Sequence, residues 1–430
     1  MNEIRITGGI PLQGSIRIQG SKNAALPMMA AALLQRETCV LRGCPRIADV
    51  FCMEEILNGL GAVAWWEGAD LHIDCSRAEG TEVPEAAAGR MRSSVILLGA
   101  LLGRNGRAVM GYPGGCVIGE RPVDQHIRVL RALGAELTEE NGRILAKTAG
   151  KGSGGAAGLT GAEITFDKIS VGAAEQGILA AVLAEGETVL RGCAREPEVC
   201  WLCRFLRRMG AEIEGEESGC IRIRGVRELH GTEMQVPPDR IVAGTYLCVS
   251  VAARSRIVIK NFPEGELDAF LEVYRKIGGQ WQGNSGKLIA DGRGVGAPLP
   301  FLETEAYPGF PTDLQSPLMA ALATVPGESR IRENIFEDRF KIAEELNRMG
   351  ASVTVSGRKA LIRGGFPLKG CPVTARELRG GAGLIVAALA AEGETRIRGS
   401  GFIRRGYEHI CRDLRGLGAL AEEDTGNKDL

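Results

Sequence analysis

A short phrase of apolar and polar residues recurs six times along this chain, at intervals of about 70 residues. In each copy, apolar residues at helical spacing lead to a glycine, and a short alternating run follows. The six glycines are Gly61, Gly134, Gly210, Gly278, Gly350 and Gly418. Glycine readily adopts the left-handed backbone that ends many helices. The pattern therefore predicts a helix, a glycine stop and a strand, six times over.

A second helix lies about midway between these phrases and is apolar on nearly every side. Its clearest copies fall within residues 24–41, 174–190, 316–331 and 381–397, and each is followed by a turn and a strand. A helix that is apolar all round is expected to be buried. Six units of two helices and several strands favour an α/β (α+β) protein with two lobes of three repeats, joined near Pro237 and Pro238. A ligand is expected in a cleft between the lobes.

The composition excludes several classes of function. The chain has 430 residues, of which 44% are hydrophobic and 24% charged, and its formal net charge of -1 gives no overall field for nucleic acid or an anionic membrane. Its longest apolar runs, such as residues 95–102, are shorter than the roughly 18 residues that cross a bilayer. Twelve cysteines without framework spacing, and a start without a charged and then apolar leader, predict a cytoplasmic protein.

The stretch from Tyr112 to Asp124 is the first candidate for chemistry. Between its two prolines lie three glycines and Cys116, a composition that suits neither a regular helix nor a strand. Arg121 can hold a phosphate and can favour the thiolate of Cys116. The stretch is therefore predicted to be a mobile lid that carries a reactive thiol. The alternative is that Cys116 is one of many inert cysteines.

Polar side chains recur just before the buried helices, where a helix N-terminus can help to hold an anion. They are Lys22 and Asn23 at the first helix, Arg92 before another, and Lys168 with Ser170 before a third. Their recurrence at equivalent places suggests that these helix ends serve one ligand, although a single lysine of this kind is usually only a solvated surface residue.

Asp313 stands at the start of the buried helix of the fifth unit, where it is either a helix cap or a base. Further cations suited to phosphate and carboxylate groups are Arg339, Arg379 and Arg405, and Glu377 lies two residues before Arg379.

Three other patterns are interpreted as structural. Cys200 and Cys203 form a CxxC inside a helical stretch without a second pair, which argues against a zinc site. The four histidines show no metal-binding spacing, and His126, the one near the lid, is either a polar helix residue or part of the site. Residues 150–158 match GxGxxG without the helix and acidic residue of a dinucleotide site, so they are predicted to be a surface loop.

Eight motifs, in this order over essentially the whole chain, resemble the UDP-N-acetylglucosamine 1-carboxyvinyltransferases, which are UDP-N-acetylglucosamine enolpyruvyl transferases. The motifs are SKNAALP, PGGCVIGERPVDQH, FDKISVG, AREPE, PPDRI, FPTDLQ, FEDRF and RRGYE. The resemblance implies a two-domain inside-out α/β barrel of the enolpyruvyl transferase type, built from the six repeats. Residues 22–237, with the cysteine loop 112–122, would form the first lobe, and residues 1–21 with 238–430 the second.

The resemblance also implies a reaction. Enolpyruvyl would pass from phosphoenolpyruvate to the 3'-hydroxyl of UDP-N-acetylglucosamine, releasing phosphate, in the first committed step of peptidoglycan synthesis. Such a transfer passes through a cationic centre and a tetrahedral ketal, so it needs a proton donor, a base and cations for the departing phosphate. No metal and no organic cofactor is implied, and both partners are small molecules.

Carried over by position, Cys116 resembles the thiol that protonates the enolpyruvyl methylene and that fosfomycin alkylates, and Asp313 resembles the base. With Lys22 and Arg405 these are the implied catalytic residues. The implied phosphoenolpyruvate contacts are Lys22, Asn23, Arg121 and Arg405. The implied nucleotide-sugar contacts are Asn23, Arg92, Arg121, Pro122, Val123, Asp124, Gln125, Lys168, Ile169, Ser170, Val171, Asp313 and Ile335. Arg339, Glu377 and Arg379 resemble supporting residues.

Three positions depart from the family pattern. Ala48 stands where a lysine is common, Glu377 where aspartate is usual, and Arg404 where an acidic residue often precedes the arginine. Two alternatives therefore stay open beside the active enzyme. One is an enolpyruvyl transferase for another acceptor, of the shikimate 3-phosphate type, and the other is an inactive paralogue that binds nucleotide sugars.

Overall fold

The computed structural model describes residues 3–115, 118–119, 122–148 and 158–424. These residues form two compact units, one of residues 3–19, 118–119 and 238–424 and the other of residues 20–115, 122–148 and 158–237. The chain first passes from one unit to the other after Gln19, two residues before the predicted boundary at Lys22. The bond from Ser21 N to Pro237 O, at 2.7 Å, connects this short segment to the unit of residues 20–237. The predicted loop at residues 150–157 lies outside the described residues.

Strands of two to six residues recur along the whole described chain. They are β1 (Glu3–Thr7), β2 (Gln13–Arg17), β3 (Thr38–Arg42), β4 (Val63–Glu67), β5 (Asp70–Asp74), β6 (Arg107–Gly111), β7 (Ala135–Glu140), β8 (Arg143–Thr148), β9 (Glu163–Thr165), β10 (Glu187–Arg191), β11 (Glu212–Glu214), β12 (Cys220–Arg224), β13 (Glu233–Gln235), β14 (Arg256–Lys260), β15 (Gln280–Asn284), β16 (Lys287–Asp291), β17 (Leu302–Glu303), β18 (Gly327–Arg332), β19 (Ser352–Ser356), β20 (Lys359–Gly364), β21 (Pro372–Thr374), β22 (Glu394–Arg398) and β23 (Leu420–Asp424).

Helices alternate with these strands. They are α1 (Lys22–Ala32), α2 (Ala48–Gly59), α3 (Glu85–Ala88), α4 (Leu97–Asn105), α5 (Asp124–Ala132), α6 (Val171–Ala181), α7 (Pro197–Arg208), α8 (Arg240–Ala252), α9 (Asp268–Lys276), α10 (Gln315–Leu322), α11 (Ile342–Arg348), α12 (Leu378–Ala390), α13 (Ser400–Ile403) and α14 (Ile410–Gly416). Two 3₁₀ turns, Arg92–Ile96 and Thr312–Leu314, lead into α4 and α10.

The described strands form six small sheets, some of which take a strand from a distant part of the chain. In the unit of residues 20–237 the strand orders are β13-β3-β5-β4, β6-β8-β7 and β11-β12-β10-β9. In the other unit they are β21-β22-β1-β23, β15-β16-β14-β2 and β17-β18-β20-β19. Strand β1 pairs antiparallel with both β22 and β23, and β2 pairs parallel with β14. The start of the chain thus completes the sheet of the sixth repeat, as the resemblance implied for the N-terminal strand.

The apolar helices are buried inside each unit, as the sequence predicted. In one unit α1, α4 and α6 contact one another, and in the other α8, α10 and α12 do so. Every residue of α8 and α10 is buried, so these helices have no solvent face. Sheets and amphipathic helices therefore surround helices in each unit, which is the inside-out arrangement that the sequence resemblance implied.

The six glycine stops are also confirmed. Each of the six glycines lies two residues after the last residue of an amphipathic helix and has a φ between 90° and 103°. The amide of the following residue bonds back to the helix in five of the copies, as Ala419 N does to Leu414 O at 3.0 Å. This bonding satisfies carbonyl groups that the end of a helix would otherwise leave unpaired.

Gly418 tests the energetic cost of this backbone by itself, because its φ is 92° and a Cβ there would meet nothing within 4 Å. We expect Gly418→Ala to lower the free energy of unfolding by about 1 kcal/mol, measured by urea denaturation. Gly296→Ala is the matched control, since that glycine has equal space and no positive φ, and it should stay within about 0.5 kcal/mol of the wild type. If the two variants lowered the free energy of unfolding equally, the cost could not be assigned to the positive φ of Gly418.

Candidate functional site

In the unit of residues 20–237, Lys22 is the first residue of α1. Ser21 caps this helix by accepting a hydrogen bond from Ala24 N at 3.3 Å, as the sequence predicted. Lys22 Nζ lies 2.7 Å from Asp49 Oδ2, and both side chains are largely buried. Asn23 is half-buried in the same first turn. A cation in this setting is held by an ion pair and is not a solvated surface lysine.

Asp49 was missed by sequence reasoning. It lies in the first turn of α2, where an acidic residue also suits the helix dipole, so nothing in the sequence pointed to a contact with Lys22. Its neighbour Ala48, one of the departures from the family pattern, is the exposed first residue of that helix.

Arg92 opens the 3₁₀ turn before α4, and this turn contacts both α1 and α6. Arg92 Nη2 donates to Pro122 O at 3.1 Å, which connects Arg92 to the end of the predicted lid. Burial lowers the pKa of Arg92 from its ordinary value, and the group stays charged at neutral pH. Gly115, with a φ of 113°, lies so close that a Cβ there would be 3.1 Å from Arg92 Cβ.

The predicted lid is only partly described. Cys116 and Arg121 lie outside the described residues. Before them, Gly114 N donates to Ala88 O at 3.3 Å, and a Cβ on Gly114 would collide with Gly89 O, so this part of the stretch is closely packed. Glycine is therefore required at position 114 by packing. Further along the stretch, Ile118 O accepts from Asp338 N at 3.2 Å.

Residues 122–125 lead into α5, which begins at Asp124. Pro122 and Asp124 are exposed, whereas Val123 and Gln125 are half-buried. His126 is buried and its Nδ1 lies 2.5 Å from Oε1 of the fully buried Gln176 in α6. The contact ties the first turn of α5 to α6, so His126 has a structural role.

The segment 168–171 leads into α6. Lys168 and Ile169 are exposed, and Ser170 caps the helix by accepting from Ala173 N at 3.3 Å. Val171 is half-buried in the first turn. Exposed polar and apolar side chains beside a helix N-terminus are suited to a ligand with anionic and apolar parts.

In the other unit, the Asp313 carboxylate is held between two buried arginines. Its Oδ1 accepts from Arg339 Nη2 at 2.7 Å, and its Oδ2 accepts from Nε and Nη2 of Arg379 at 3.1 and 3.0 Å. The arginine side chains are 2% and 3% exposed and that of Asp313 is 28% exposed. Burial lowers the pKa of Arg379, but the charge of Asp313 together with Tyr407 and Asp239 raises it above its ordinary value. Two guanidinium groups keep this carboxylate ionised.

This geometry argues against one of the two interpretations of Asp313. The interpretation as a helix cap is wrong, because neither the 3₁₀ turn Thr312–Leu314 nor α10 has a side-chain cap. An ionised carboxylate with part of its surface exposed is instead the form that a general base requires.

Glu333, which sequence reasoning also missed, organises the surroundings of Asp313. It is fully buried and accepts hydrogen bonds from Thr312 Oγ1 at 2.9 Å and from the amide nitrogens of Ile335 and Phe336 at 2.9 and 3.1 Å. The guanidinium of Arg339 lies 5.2 Å from the centre of the Phe336 ring. Ile335 is 39% exposed, and its turn is connected through the Glu333 carboxylate to Thr312, the residue before Asp313.

Glu377 caps α12, accepting from Arg379 N at 2.7 Å and from Gly380 N. Its position beside Arg379 therefore fixes the start of the helix that carries this arginine. Arg405 is half-buried in the turn after α13, and its neighbour Arg404 pairs with Glu423 of β23 at 2.7 Å.

Two expected absences concern only the part of the chain that the structure describes. There, no group of three or more histidine, cysteine or acidic residues could hold a metal ion. Cys200 and Cys203 are buried in α7. Among the helices in the described ranges, none is long and apolar enough to cross a membrane.

Comparison with known proteins places this geometry in a family. The family model for EPSP synthase (3-phosphoshikimate 1-carboxyvinyltransferase) matches residues 6–414. The UDP-N-acetylglucosamine 1-carboxyvinyltransferase of Deinococcus radiodurans is 42% identical over 419 residues, covering 97% of this chain and 96% of that protein. Its namesake from Koribacter versatilis is 43% identical over 423 residues, covering 97% and 96%. The chain belongs to the UDP-N-acetylglucosamine 1-carboxyvinyltransferase family.

Solved structures agree with this membership. The enolpyruvyl transferase NikO from Streptomyces tendae superposes with a TM-score of 0.86 at 26% identity, covering 98% of this chain and 99% of that chain. EPSP synthase from Acinetobacter baumannii gives 0.72 at 19% identity, covering 99% and 100%, which supports the fold alone. The predicted fold class and family are confirmed, and the chain is an enzyme of a family that acts on small molecules.

The departures from the carboxyvinyltransferase pattern leave the candidate site intact. Glu377 uses its carboxylate as a cap for α12, and Arg404 is paired with Glu423, so both charges have partners within their unit. Lys22, Asp313 and Arg405 are all present.

A buried acidic residue in α6, the helix that follows the segment 168–171, offers a test of the electrostatics in this carboxyvinyltransferase. Glu175 lies in α6, and burial, followed by the nearby carboxylates of Glu198 and Glu196, raises its pKa well above the ordinary value of 4.5. A group whose pKa rises on folding contributes its full stability only below the unfolded pKa, and the contribution is lost as the pH rises.

We therefore expect Glu175→Gln to stabilise the protein at pH 8 and to have little effect near pH 4. The gain in the free energy of unfolding should grow with pH by at most about 1.4 kcal/mol per unit. Urea denaturation at several pH values measures it, with the exposed Glu79→Gln as the control. A gain that stays constant from pH 5 to pH 8 would contradict the burial of an uncharged Glu175.

Proposed function

We propose that the protein transfers enolpyruvyl from phosphoenolpyruvate to the 3'-hydroxyl of UDP-N-acetylglucosamine and releases phosphate, in the first committed step of peptidoglycan synthesis. The observation that carries the proposal is the Asp313 carboxylate, held ionised by Arg339 and Arg379. The names and near full-length similarity of the relatives from Deinococcus and Koribacter support this pair of substrates.

In the proposed mechanism, Asp313 takes the proton of the sugar hydroxyl as its oxygen bonds to the central carbon of phosphoenolpyruvate. Cys116 gives a proton to the methylene carbon, which becomes a methyl group. The ketal then loses phosphate as the carbon–oxygen bond breaks, and a proton leaves the methyl group to restore the double bond. Acid, base and cations suffice for these steps, so none of them requires a metal or an organic cofactor.

Cations hold the anionic substrate in this proposal. Lys22, Arg121 and Arg405 bind phosphoenolpyruvate with the help of Asn23, and the pairing of Lys22 with Asp49 fixes the lysine. Arg339 supports the same role, because its Nε and Nη1 are buried without a hydrogen-bond partner among the described residues. Buried donors of this kind are costly unless an anionic group accepts from them.

The nucleotide sugar is assigned to the segments 122–125 and 168–171, with Arg92 and Ile335. Support comes from Arg92, which bonds to Pro122, and from the exposed Lys168 and Ile169 beside the N-terminus of α6. We place the reaction in the cytoplasm, since all eleven cysteines in the described residues are free thiols, which reducing compartments preserve.

Phosphate release is the direct test of the proposed function. The protein should release phosphate from phosphoenolpyruvate in the presence of UDP-N-acetylglucosamine and not in the presence of shikimate 3-phosphate. Release with shikimate 3-phosphate alone would assign another acceptor. Binding of UDP-N-acetylglucosamine without any release would make the protein a nucleotide-sugar-binding paralogue.

Asp313→Asn tests the base. We expect turnover to fall by about 10² to 10⁴, with UDP-N-acetylglucosamine affinity changed only a few-fold, since the amide keeps the shape of the side chain but cannot take a proton. Asn is preferred to Ala because, although both remove the charge that compensates the two buried arginines, the amide keeps the side-chain volume and one oxygen that can accept from them.

The control for this variant is Asp291→Asn, which removes a carboxylate paired with the exposed Arg293 and should leave turnover unchanged. Near-normal turnover of Asp313→Asn, with the fold intact by circular dichroism, would reduce Asp313 to a structural anchor for the two arginines.

A further inference from the structure

Arg405 stands in a segment whose neighbours on both sides are tied down. Before it, Arg404 pairs with Glu423 at 2.7 Å. After it, the Tyr407 hydroxyl lies 2.7 Å from Thr245 Oγ1. Thr245 Oγ1 donates to Ile241 O at 2.9 Å, so the Tyr407 hydroxyl is the donor in its own bond to Thr245. Tyr407 is buried, whereas Arg405 is half-buried.

The side chain of Gln19 holds the same segment at two points. Its Nε2 donates to Gly406 O at 3.2 Å, and its Oε1 accepts from Glu408 N at 2.9 Å. One amide therefore pairs with the backbone on either side of Tyr407, and one of these bonds is to the residue directly after Arg405. Only a side chain with a donor and an acceptor at this reach can make both bonds.

The backbone of Gln19 is itself fixed. Gln19 O accepts from Asp239 N at 3.0 Å, at the residue that caps α8. The preceding Ile18 N donates to Lys260 O at 2.9 Å, and Ile18 O accepts from Asn261 Nδ2 at 2.9 Å. Gln19 is thus a rigid support, and it is the last residue of its unit, three residues before Lys22 in the chain.

From these contacts we infer that Gln19 is a positioning residue that holds segment 405–408 so that the guanidinium of Arg405 meets phosphoenolpyruvate. The inference rests on the proposed function, in which Arg405 binds that substrate. Gln19 acts through the backbone of Gly406 and Glu408 and touches no substrate. Its loss should therefore weaken the binding of one substrate and leave the chemistry of the transfer unchanged.

Gln19→Met tests the inference, because methionine has a similar size and neither donates nor accepts at these positions. We expect the KM for phosphoenolpyruvate to rise about tenfold, with kcat and the KM for UDP-N-acetylglucosamine within twofold of the wild type. The control is Gln13→Met, which changes an exposed glutamine at the start of β2 and should alter none of the three values. A purely structural role of Gln19 would lower stability and shift all three values together.

Hydrogen exchange provides a readout that does not need activity. The amide of Glu408 is bonded to Gln19 Oε1, so exchange in a peptide covering residues 403–410 should be faster in Gln19→Met and unchanged in Gln13→Met. Unchanged exchange, or faster exchange with an unchanged KM for phosphoenolpyruvate, would overturn the inference.

Two further situations keep the test decisive. If Gln19→Met does not fold, Gln19→Glu replaces it with the same kinetic expectations, because the carboxylate loses the donor to Gly406 O, while it keeps the acceptor for the amide of Glu408 and so should leave the exchange of that amide unchanged. If the wild type releases no phosphate, the proposed function fails, and the exchange of residues 403–410 then decides by itself whether Gln19 holds the segment.

Discussion

The pairing of Asp313 with Arg339 and Arg379 is the constraint on which the candidate site depends. Three charges in a mostly buried position are stable only together, since removing one leaves an uncompensated charge away from water. The surrounding structure serves this cluster: Glu377 fixes the start of the helix that carries Arg379, and Glu333 connects the Asp313 turn to the turn before Arg339. This arrangement favours the ionised form of the Asp313 carboxylate, which the proposed role as a base requires.

The repeat explains why the site residues stand where they do. In every repeat, a buried helix begins with polar or charged residues; Ser21, Ser170, Asp239 and Glu377 accept hydrogen bonds from the first amide groups, whereas Arg92 and Asp313 do not act as caps. The starts of these helices are Ser21 with Lys22, Arg92, Ser170, Asp239, Asp313 and Glu377. One structural position, used six times, thus supplies both the caps and most of the candidate chemistry. The N-terminal strand completes the sixth sheet, β2 pairs with β14, and Gln19, which follows β2, bonds to the segment of Arg405.

Local patterns could be predicted from the sequence, and contacts between distant residues could not. The glycine stops, the buried helices and the Ser21 cap follow from spacing and residue type within one turn or two. The bonds of Lys22 to Asp49, of Asp313 to its arginines and of Gln19 to Gly406 join residues that are 26 to 387 positions apart. No periodicity records such contacts, and Asp313 was therefore open to interpretation as a cap until its partners were known.

The central claim is that the ionised Asp313 activates a sugar hydroxyl for transfer of the enolpyruvyl group. The most direct measurement is the identity of the product after incubation with phosphoenolpyruvate and UDP-N-acetylglucosamine, determined by mass spectrometry and nuclear magnetic resonance. The account predicts a nucleotide sugar that carries one carboxyvinyl group, joined through an ether at the 3'-oxygen. A carboxyvinyl group on another oxygen, or unmodified UDP-N-acetylglucosamine after prolonged incubation with folded protein, would contradict it.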